Sequence, residues 1–281
     1  MAITAFKPEV WASELLVSLE KSLVFAAPGT VNRNYEGEIS EYGDTVHITT
    51  LADPTIGTYT AHTDITIEDV DDAAQQLLIN QSKYFAFEVD DIEKRQARNG
   101  GALLSEQARK AAYLLRDVAD QYVAGLMVTG ATFSDTLAVT SAANAYDAIV
   151  DLGTALDEVD VPTEGRFVIV PPAFHGLLKK DDRFVATGDA AAAAARVNGV
   201  VGEAGGFIVK VSNNAPAGAD TVNGSRFVVA GTPIATTYAE QIAKTEAFRL
   251  EKRFADGVKG LHLYGSKVIE PDALAVLDVT I

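Results

Sequence analysis

Residues 101–127 read GALLSEQARKAAYLLRDVADQYVAGLM. Their apolar side chains come in pairs: Leu103/Leu104, Ala111/Ala112, Leu114/Leu115, Val118/Ala119, Tyr122/Val123 and Leu126/Met127, with Ala108 bridging the first gap. Pairs recurring at this spacing make one apolar stripe along an α-helix. Asn99-Gly100-Gly101 breaks the chain before it, and Gly130 ends it. At ~1.5 Å per residue the helix is about 40 Å long, longer than most helices in a compact domain. Its other side carries Glu106, Gln107, Arg109, Lys110, Arg116, Asp117 and Asp120. Such a helix either lies over one sheet or serves as a spine tethering several β elements. The β-rich segments around it favour the spine and point away from an enzyme.

Working outward towards the N-terminus, residues 77–89, LLINQSKYFAFEV, read as strand, with Phe85, Phe87 and Val89 on one face. Asp90 then caps a short helix start, with Glu93 at the reciprocal position. Residues 53–70 alternate weakly around Ile56, Tyr59, Ile65 and Ile67 and read as a β-hairpin. A hairpin this polar on both faces is marginal alone in water and needs a brace. The acids Glu68, Asp69, Asp71 and Asp72 follow it. Their spacing is not that of a calcium loop, and a charge run is normally solvated. Residues 30–50 read as extended segments joined by a turn at 41–44. Residues 8–25 read as a helix, with Pro8 at its first position and Trp11, Leu15, Leu16, Leu19 and Leu23 on its apolar face. Pro28-Gly29 follows, so this helix stands on an arm and reads as a docking device.

Beyond the spine, residues 131–141 are short and extended. A second helix, capped by Asn144 and stopped by Pro162, buries Tyr146, Ile149, Val150, Leu152, Leu156 and Val159. Arg166–Val170 is a continuous apolar strand of the buried kind. Helices are expected over 173–180 and 190–195. Gly199, Gly202, Gly205 and Gly206 match neither the dinucleotide fingerprint nor a phosphate loop, and serve as turns before a strand. Strands follow at 226–230 and 246–254, as a pair within 257–269, and at 274–281. The order is a β-rich arm, a long helix, a mixed middle and returning strands, so the middle reads as an insertion.

The chain has 281 residues, 48% of them hydrophobic, enough for a sizeable core. No run approaches 18 apolar residues, so no membrane span is expected. Lys7 and Glu9 without an apolar core do not read as a signal peptide. Cysteine is absent, which removes disulfides, thiolate metal sites and cysteine nucleophiles. The net charge is −16, and residues 1–94 hold 17 acidic against 5 basic side chains. So acidic a chain is unsuited to gripping nucleic acid through its phosphates, while its acidic third suits basic surface on another copy. His47, His62, His175 and His262 lie far apart without metal-site spacing. Tyr264-Gly265-Ser266-Lys267 lacks the second glycine of a nucleophile elbow. No catalytic residue, cofactor or metal ligand is assigned.

Several pieces in this order resemble the major capsid proteins of tailed double-stranded-DNA phages with the Hong Kong 97-like fold. They are PEVWASELLVSLEKSLVF, the 32–39 run followed by GDTVHI, LLINQSKYFAFEVDDIEK, ARKAAYLLRDVADQYVAGL, GRFVIVPPAFHGLLKKDDRF and NGVVGEAGGFIVKVSNN. The resemblance implies an α+β fold with an N-terminal arm (1–49) and an extended loop (50–76). It implies a peripheral domain (77–130 and 242–281) and an inserted axial domain (131–241). It implies a shell of hexamers and pentamers in the phage head, enclosing DNA without sequence-specific contact and assembled in the host cytoplasm. Inter-subunit contacts are then expected from Trp11, Leu15 and Leu19 on the arm. The loop acids Glu68, Asp69, Asp71 and Asp72 are expected to meet Arg109, Lys110 and Arg116 of the spine helix. No long N-terminal scaffolding segment is recognised, so a separate scaffold protein is expected beside a portal, with a cement protein open. The cross-linking set of relatives is not matched, Lys83 lying beyond the loop, so a non-covalent shell is expected. An encapsulin-type compartment shares the fold, and an acidic carbohydrate-active enzyme or binding module stays open as a different class.

Overall fold

The computed structural model describes residues 24–34, 45–51, 55–59, 61, 62, 64, 72–90, 103–181, 202–220, 224–250 and 253–281. Strands β1 (Thr45–Leu51) and β2 (Asp72–Leu78) pair antiparallel, from Thr45 opposite Leu78 to Leu51 opposite Asp72. The single strand expected over 77–89 is broken at 79–80: residues 77 and 78 belong to β2, and β3 (Gln81–Asp90) carries the rest into another sheet, followed by the spine helix α1 (Leu103–Gly130). The inserted middle comprises β4 (Phe133–Ala138), α2 (Ala142–Asp157), β5 (Phe167–Val170), α3 (Pro172–Leu178), β6 (Glu203–Ala204), β7 (Phe207–Val211) and β8 (Arg226–Gly231). The chain returns through β9 (Thr236–Arg249), β10 (Ala255–Val268), a 3-10 turn (Pro271–Ala273) and β11 (Leu274–Thr280).

Two larger sheets result. One has the order β3-β10-β9, antiparallel throughout; the other has the order β4-β11-β8-β5-β7-β6, mixed. The central strands β5 and β11 of the six-stranded sheet are buried on both faces, and their side chains divide by parity. Val168, Val170, Ala275, Leu277 and Val279 pack under α2 and α3, against Ile149, Leu152, Leu156, Phe174 and Leu178. Phe167, Ile169, Leu274 and Val276 face the other way, onto Ala119, Val123, Ala124 and Met127 of the spine helix. Burial on both faces explains the continuous apolar reading of β5. It also explains why Leu274, Val276, Leu277 and Val279 of β11 do not alternate strictly with polar residues.

The spine helix reaches both sheets, since Tyr238 of β9 and Tyr264 of β10 join the same core. Its apolar pairs do not form one buried stripe, however. Ala112, Leu115, Ala119 and Val123 are buried, whereas Tyr113, Leu114 and Val118 face outward. A pair of adjacent residues subtends about 100°, so the wider stripe is split between the core and the surface.

Three local readings are corrected. Ser141 caps α2, not Asn144: the Ser141 hydroxyl accepts the Asn144 N–H at 3.3 Å, three residues into the turn. The helix ends at Asp157 and turns out through 158–160, before Pro162 is reached. Asp160 takes a left-handed φ of 56°, and the Val161 N–H returns to the Leu156 carbonyl at 3.1 Å, a Schellman-type ending. Residues 257–269 are not a strand pair but lie largely within one strand, β10, with a register shift between Leu261 and His262. Asp90 ends β3, and the rest of the expected helix start to Glu93, like the helix expected over 190–195, lies outside the described residues.

The paired strands lie outside the 53–70 range expected for a hairpin: β1 and β2 flank it, and its described residues 55–59, 61, 62 and 64 form no strand. The β1–β2 hairpin is braced at its base. Ile48, Leu77 and Ile79 pack on Ala239 and Leu263. Gly265 is required there, because a Cβ would sit 2.5 Å from the Leu78 carbonyl oxygen.

Candidate functional site: the seam that holds the arm

Residues 24–34 run through a seam between the spine helix and both larger sheets, and each wall supplies one polar anchor. Phe25, Ala26 and Val31 are buried in the core beneath the spine helix. The Val24, Phe25 and Ala26 N–H groups, at 3.0, 2.8 and 3.2 Å, all donate to Asp120 Oδ1. Asn214 Nδ2 donates to Asp120 Oδ2 at 3.0 Å. Asp120 had been placed on the polar side of α1, yet it is buried. A buried carboxylate persists only when hydrogen-bonded like this.

The second anchor comes from β7. Lys210 Nζ donates to the Gly29 carbonyl at 3.0 Å and to Thr30 Oγ1 at 2.5 Å, and lies 5.5 Å from the Phe167 ring centroid. Burial lowers the pKa of this ammonium.

The third comes from the three-stranded sheet. The Asn32 N–H donates to the Thr236 carbonyl at 2.8 Å, and the Tyr238 N–H donates to the Asn32 carbonyl at 2.9 Å. Beside this bridge the Arg33 guanidinium pairs with Glu240 Oε1 and stands over the Tyr238 ring. Glu240 Oε2 accepts the Tyr238 hydroxyl at 2.7 Å and lies 3.2 Å from His262 Nε2. Burial would raise the Glu240 pKa, but the His262 hydrogen bond, the Arg33 charge and the Tyr238 hydroxyl outweigh it and hold it at about 2. Burial and the Glu240 charge push the Tyr238 phenol well above its ordinary value.

A Glu, His and Tyr within hydrogen-bond reach invite an acid–base reading. Here the His262 and Glu240 side chains are only 1% and 6% exposed. The cluster is closed off from solvent and ties the arm to β9.

The sequence-derived contact residues fall into three groups. Arg109 and Lys110 are exposed on the outward side of the spine helix. Arg116 is buried, its guanidinium 4.9 Å from the Tyr113 ring centroid and its pKa lowered by burial against the attraction of Asp120 and Asp117. Trp11, Leu15, Leu19, Glu68, Asp69 and Asp71 lie outside the described residues, while the backbone of Asp72 opens β2. Between β1 and β2, Ile56 and Tyr59 are exposed, at 96% and 70%. Asp120, Lys210, Arg33 and Glu240 were not singled out from sequence. Their contacts with the arm span some 94 to 207 residues, so no local spacing announces them.

The family model for phage capsid protein matches residues 74–277. The chain belongs to the phage capsid protein family. A solved structure from Mycobacterium phage Che8 is 31% identical to this capsid protein, with a TM-score of 0.75 and 91% of each chain covered. The capsid structure of Cyanophage P-SCSP1u is 14% identical, with a TM-score of 0.74, covering 99% of this chain and 90% of that one. The virus-like particle from Pyrococcus furiosus is 17% identical, with a TM-score of 0.55, covering 96% and 98%. No curated protein matches the capsid protein. The α+β architecture is the Hong Kong 97-like capsid fold that the resemblance implied. The role is structural: the capsid protein forms the shell of a tailed-phage head, assembling with copies of itself.

Proposed function

We propose that this capsid protein assembles as hexamers and pentamers into an icosahedral head that encloses double-stranded DNA without sequence-specific contact. It assembles in the host cytoplasm, catalyses no reaction and takes no cofactor. The arm is residues 1–49 and the extended loop 50–76; the peripheral domain is 77–130 with 242–281, and the axial domain 131–241. The loop reaches a neighbouring subunit, bringing Glu68, Asp69, Asp71 and Asp72 to Arg109, Lys110 and the adjoining Arg116. Trp11, Leu15 and Leu19 form the apolar face of a docking helix on the arm. A separate scaffold protein and a portal are the further partners, a cement protein is an optional one, and no covalent bond joins the subunits.

The observation that carries this reading is the contrast between rooted bases and uncovered reach. The hairpin base is packed on Ala239 and Leu263, while Ile56 and Tyr59 beyond it are exposed. Exposed apolar side chains on a braced projection are what a neighbouring copy covers. The test is particle mass by light scattering, with negative-stain images of the same sample. Closed shells, or rings of five and six, are expected. A stable monomer of 29.8 kDa, even with scaffold protein added, sinks the reading.

A further inference from the structure

The outward face of the spine helix carries an apolar stripe. Tyr113, Leu114 and Val118 are 57%, 61% and 41% exposed, and Leu114 and Val118, four apart, share one helical face. Beside the stripe is a hollow of about 420 Å³ lined by Arg109, Lys110, Tyr113 and Leu114. The long stems of Arg109 and Lys110 give it apolar wall and place cationic groups at its rim. Its volume lies in the range, about 300–1,000 Å³, of hollows that accept an organic group.

The same chain exposes a part of matching chemistry. Between β1 and β2, Ile56 and Tyr59 project from a base packed on Ala239 and Leu263. From Thr45 to Ser82 the sequence holds Asp53, Asp64, Glu68, Asp69, Asp71 and Asp72, and neither Lys nor Arg. Tip and hollow stand open in one chain at once, so the chain does not fill its own hollow. A second apolar hollow, of about 390 Å³, lies on the three-stranded sheet and is lined by Tyr84, Phe85 and Leu261 among others. Its two charged residues, Lys259 and Glu246, pair with each other at 2.8 Å. That rim is neutral and has no preference for an acidic loop, so charge selects the hollow on the spine helix.

We infer that Tyr59 of one copy enters the spine-helix hollow of the next, its ring between the Arg109 and Lys110 side chains and Ile56 against Leu114 and Val118. The inference rests on the reading that the loop reaches a neighbouring subunit, and it adds the seat. A ring between two cations gains their attraction to its face beyond the apolar burial. Tyrosine is favoured at the centre of interfaces for this combination of apolar body and polar edge. Tip and hollow are different surfaces, so the contact is heterologous. Each copy gives one tip and takes one, and the repeat closes into a ring.

The absence of cysteine makes a disulfide trap clean. Full-length protein carrying Tyr59→Cys with Leu114→Cys is assembled, checked by light scattering and negative-stain images, oxidised and run without reductant. The expected product is a ladder ending at rings of five and six, with a linked 59–114 peptide pair by mass spectrometry. Tyr59→Cys with Tyr84→Cys probes the other hollow and should link several-fold less. Shells without a 59–114 link, a stronger 59–84 link, or a 59–114 link confined to a monomer-sized band each overturn the inference and leave the shell reading standing. Failure of the unmodified protein to form shells or rings overturns both. A second measurement needs no cysteine. Tyr59→Ala should raise the protein concentration at which shells form at least about tenfold, while Tyr59→Phe, which keeps the ring, should not. Tyr59 is exposed, so the fold is spared. Shells of Tyr59→Ala at the unmodified threshold overturn the inference as well.

Discussion

Replacing Glu240 with Gln tests whether charge, rather than shape, holds the arm on β9. The substitution keeps the volume and a carbonyl acceptor, but leaves the Arg33 guanidinium, whose side chain is 14% exposed, facing a neutral group. Breaking a buried pair by neutralising one partner costs about 3–5 kcal/mol. A second route gives the same scale. Holding Glu240 at about 2 instead of 4.5 corresponds to about 3 kcal/mol in favour of the folded, ionised state. If that cost falls on local release of residues 31–34, exchange of the bridging amides rises roughly 100-fold. The amides to follow are Asn32, which donates to Thr236, and Tyr238, which donates to Asn32. Hydrogen exchange read by mass spectrometry on peptides covering 30–34 and 236–240 should show the rise, while peptides from β5 stay protected.

Two controls sharpen the test. Arg33→Met added to Glu240→Gln removes both charges and should restore most of the protection, since the guanidinium charge facing the neutral amide is the main cost. The pH dependence has a fixed sign. Because the folded pKa of Glu240 lies below its ordinary value, its contribution is complete above about 4.5 and is lost as pH falls towards about 2. Arm amides should therefore stay protected from neutral pH to about 4.5 and open below it. Unchanged exchange at Asn32 and Tyr238 in Glu240→Gln, with the fold intact, would refute the electrostatic account.

Three other substitutions have expected outcomes. Asp120→Ala strips the acceptor from three consecutive N–H groups and from Asn214; it should cost at least about 3 kcal/mol and expose residues 24–27 to limited proteolysis. Leu152→Ala, beneath the six-stranded sheet, should lower stability by about 2–5 kcal/mol, read by denaturant unfolding of the unassembled subunit. Reversing Glu68, Asp69, Asp71 and Asp72 to Lys should leave subunit folding unchanged and impair shell assembly; normal shells from that variant in electron micrographs count against the loop contact.

What the sequence disclosed follows the range of the interactions involved. The spine helix, β3, β5 and β7 were legible because their patterns are local: pairs at helical spacing, the alternation of Phe85, Phe87 and Val89, and an unbroken apolar run. The start of β9 was not legible, because Thr236, Thr237 and Glu240 are polar residues buried by partners from elsewhere in the chain. His262 looked like an isolated histidine, since nothing near it in sequence announces Glu240, which is 22 residues away. Asp120 sat among Arg116 and Asp117 on an apparently solvated face, and only the arm lying over it reveals its role. The anchors of the arm are long-range by nature, so composition and spacing were silent about them.

The arm and the loop share one foundation, and this shapes how a disturbance in either is felt. Along β9, Tyr238 and Glu240 point to one face and Ala239 to the other. Along β10, His262 and Tyr264 take the first face and Leu263 and Gly265 the second, in register with β9. The first face holds the arm through Glu240; the second holds the hairpin through Ala239 and Leu263. A pleated ribbon clamped on both faces cannot shift towards one occupant without moving away from the other. Gly265→Ala pushes a methyl group to within 2.5 Å of the Leu78 carbonyl oxygen, so the hairpin or the ribbon must yield, at about 1–3 kcal/mol. If the ribbon yields, Gly265→Ala alone loosens the Asn32 and Tyr238 amides on the opposite face. Its cost combined with Glu240→Gln then departs from the sum of the two by at least about 0.5 kcal/mol. Denaturant unfolding of the four proteins in the cycle measures this directly. Additivity within about 0.3 kcal/mol, with arm amides untouched in Gly265→Ala, would mean that the two projections are rooted side by side but move independently.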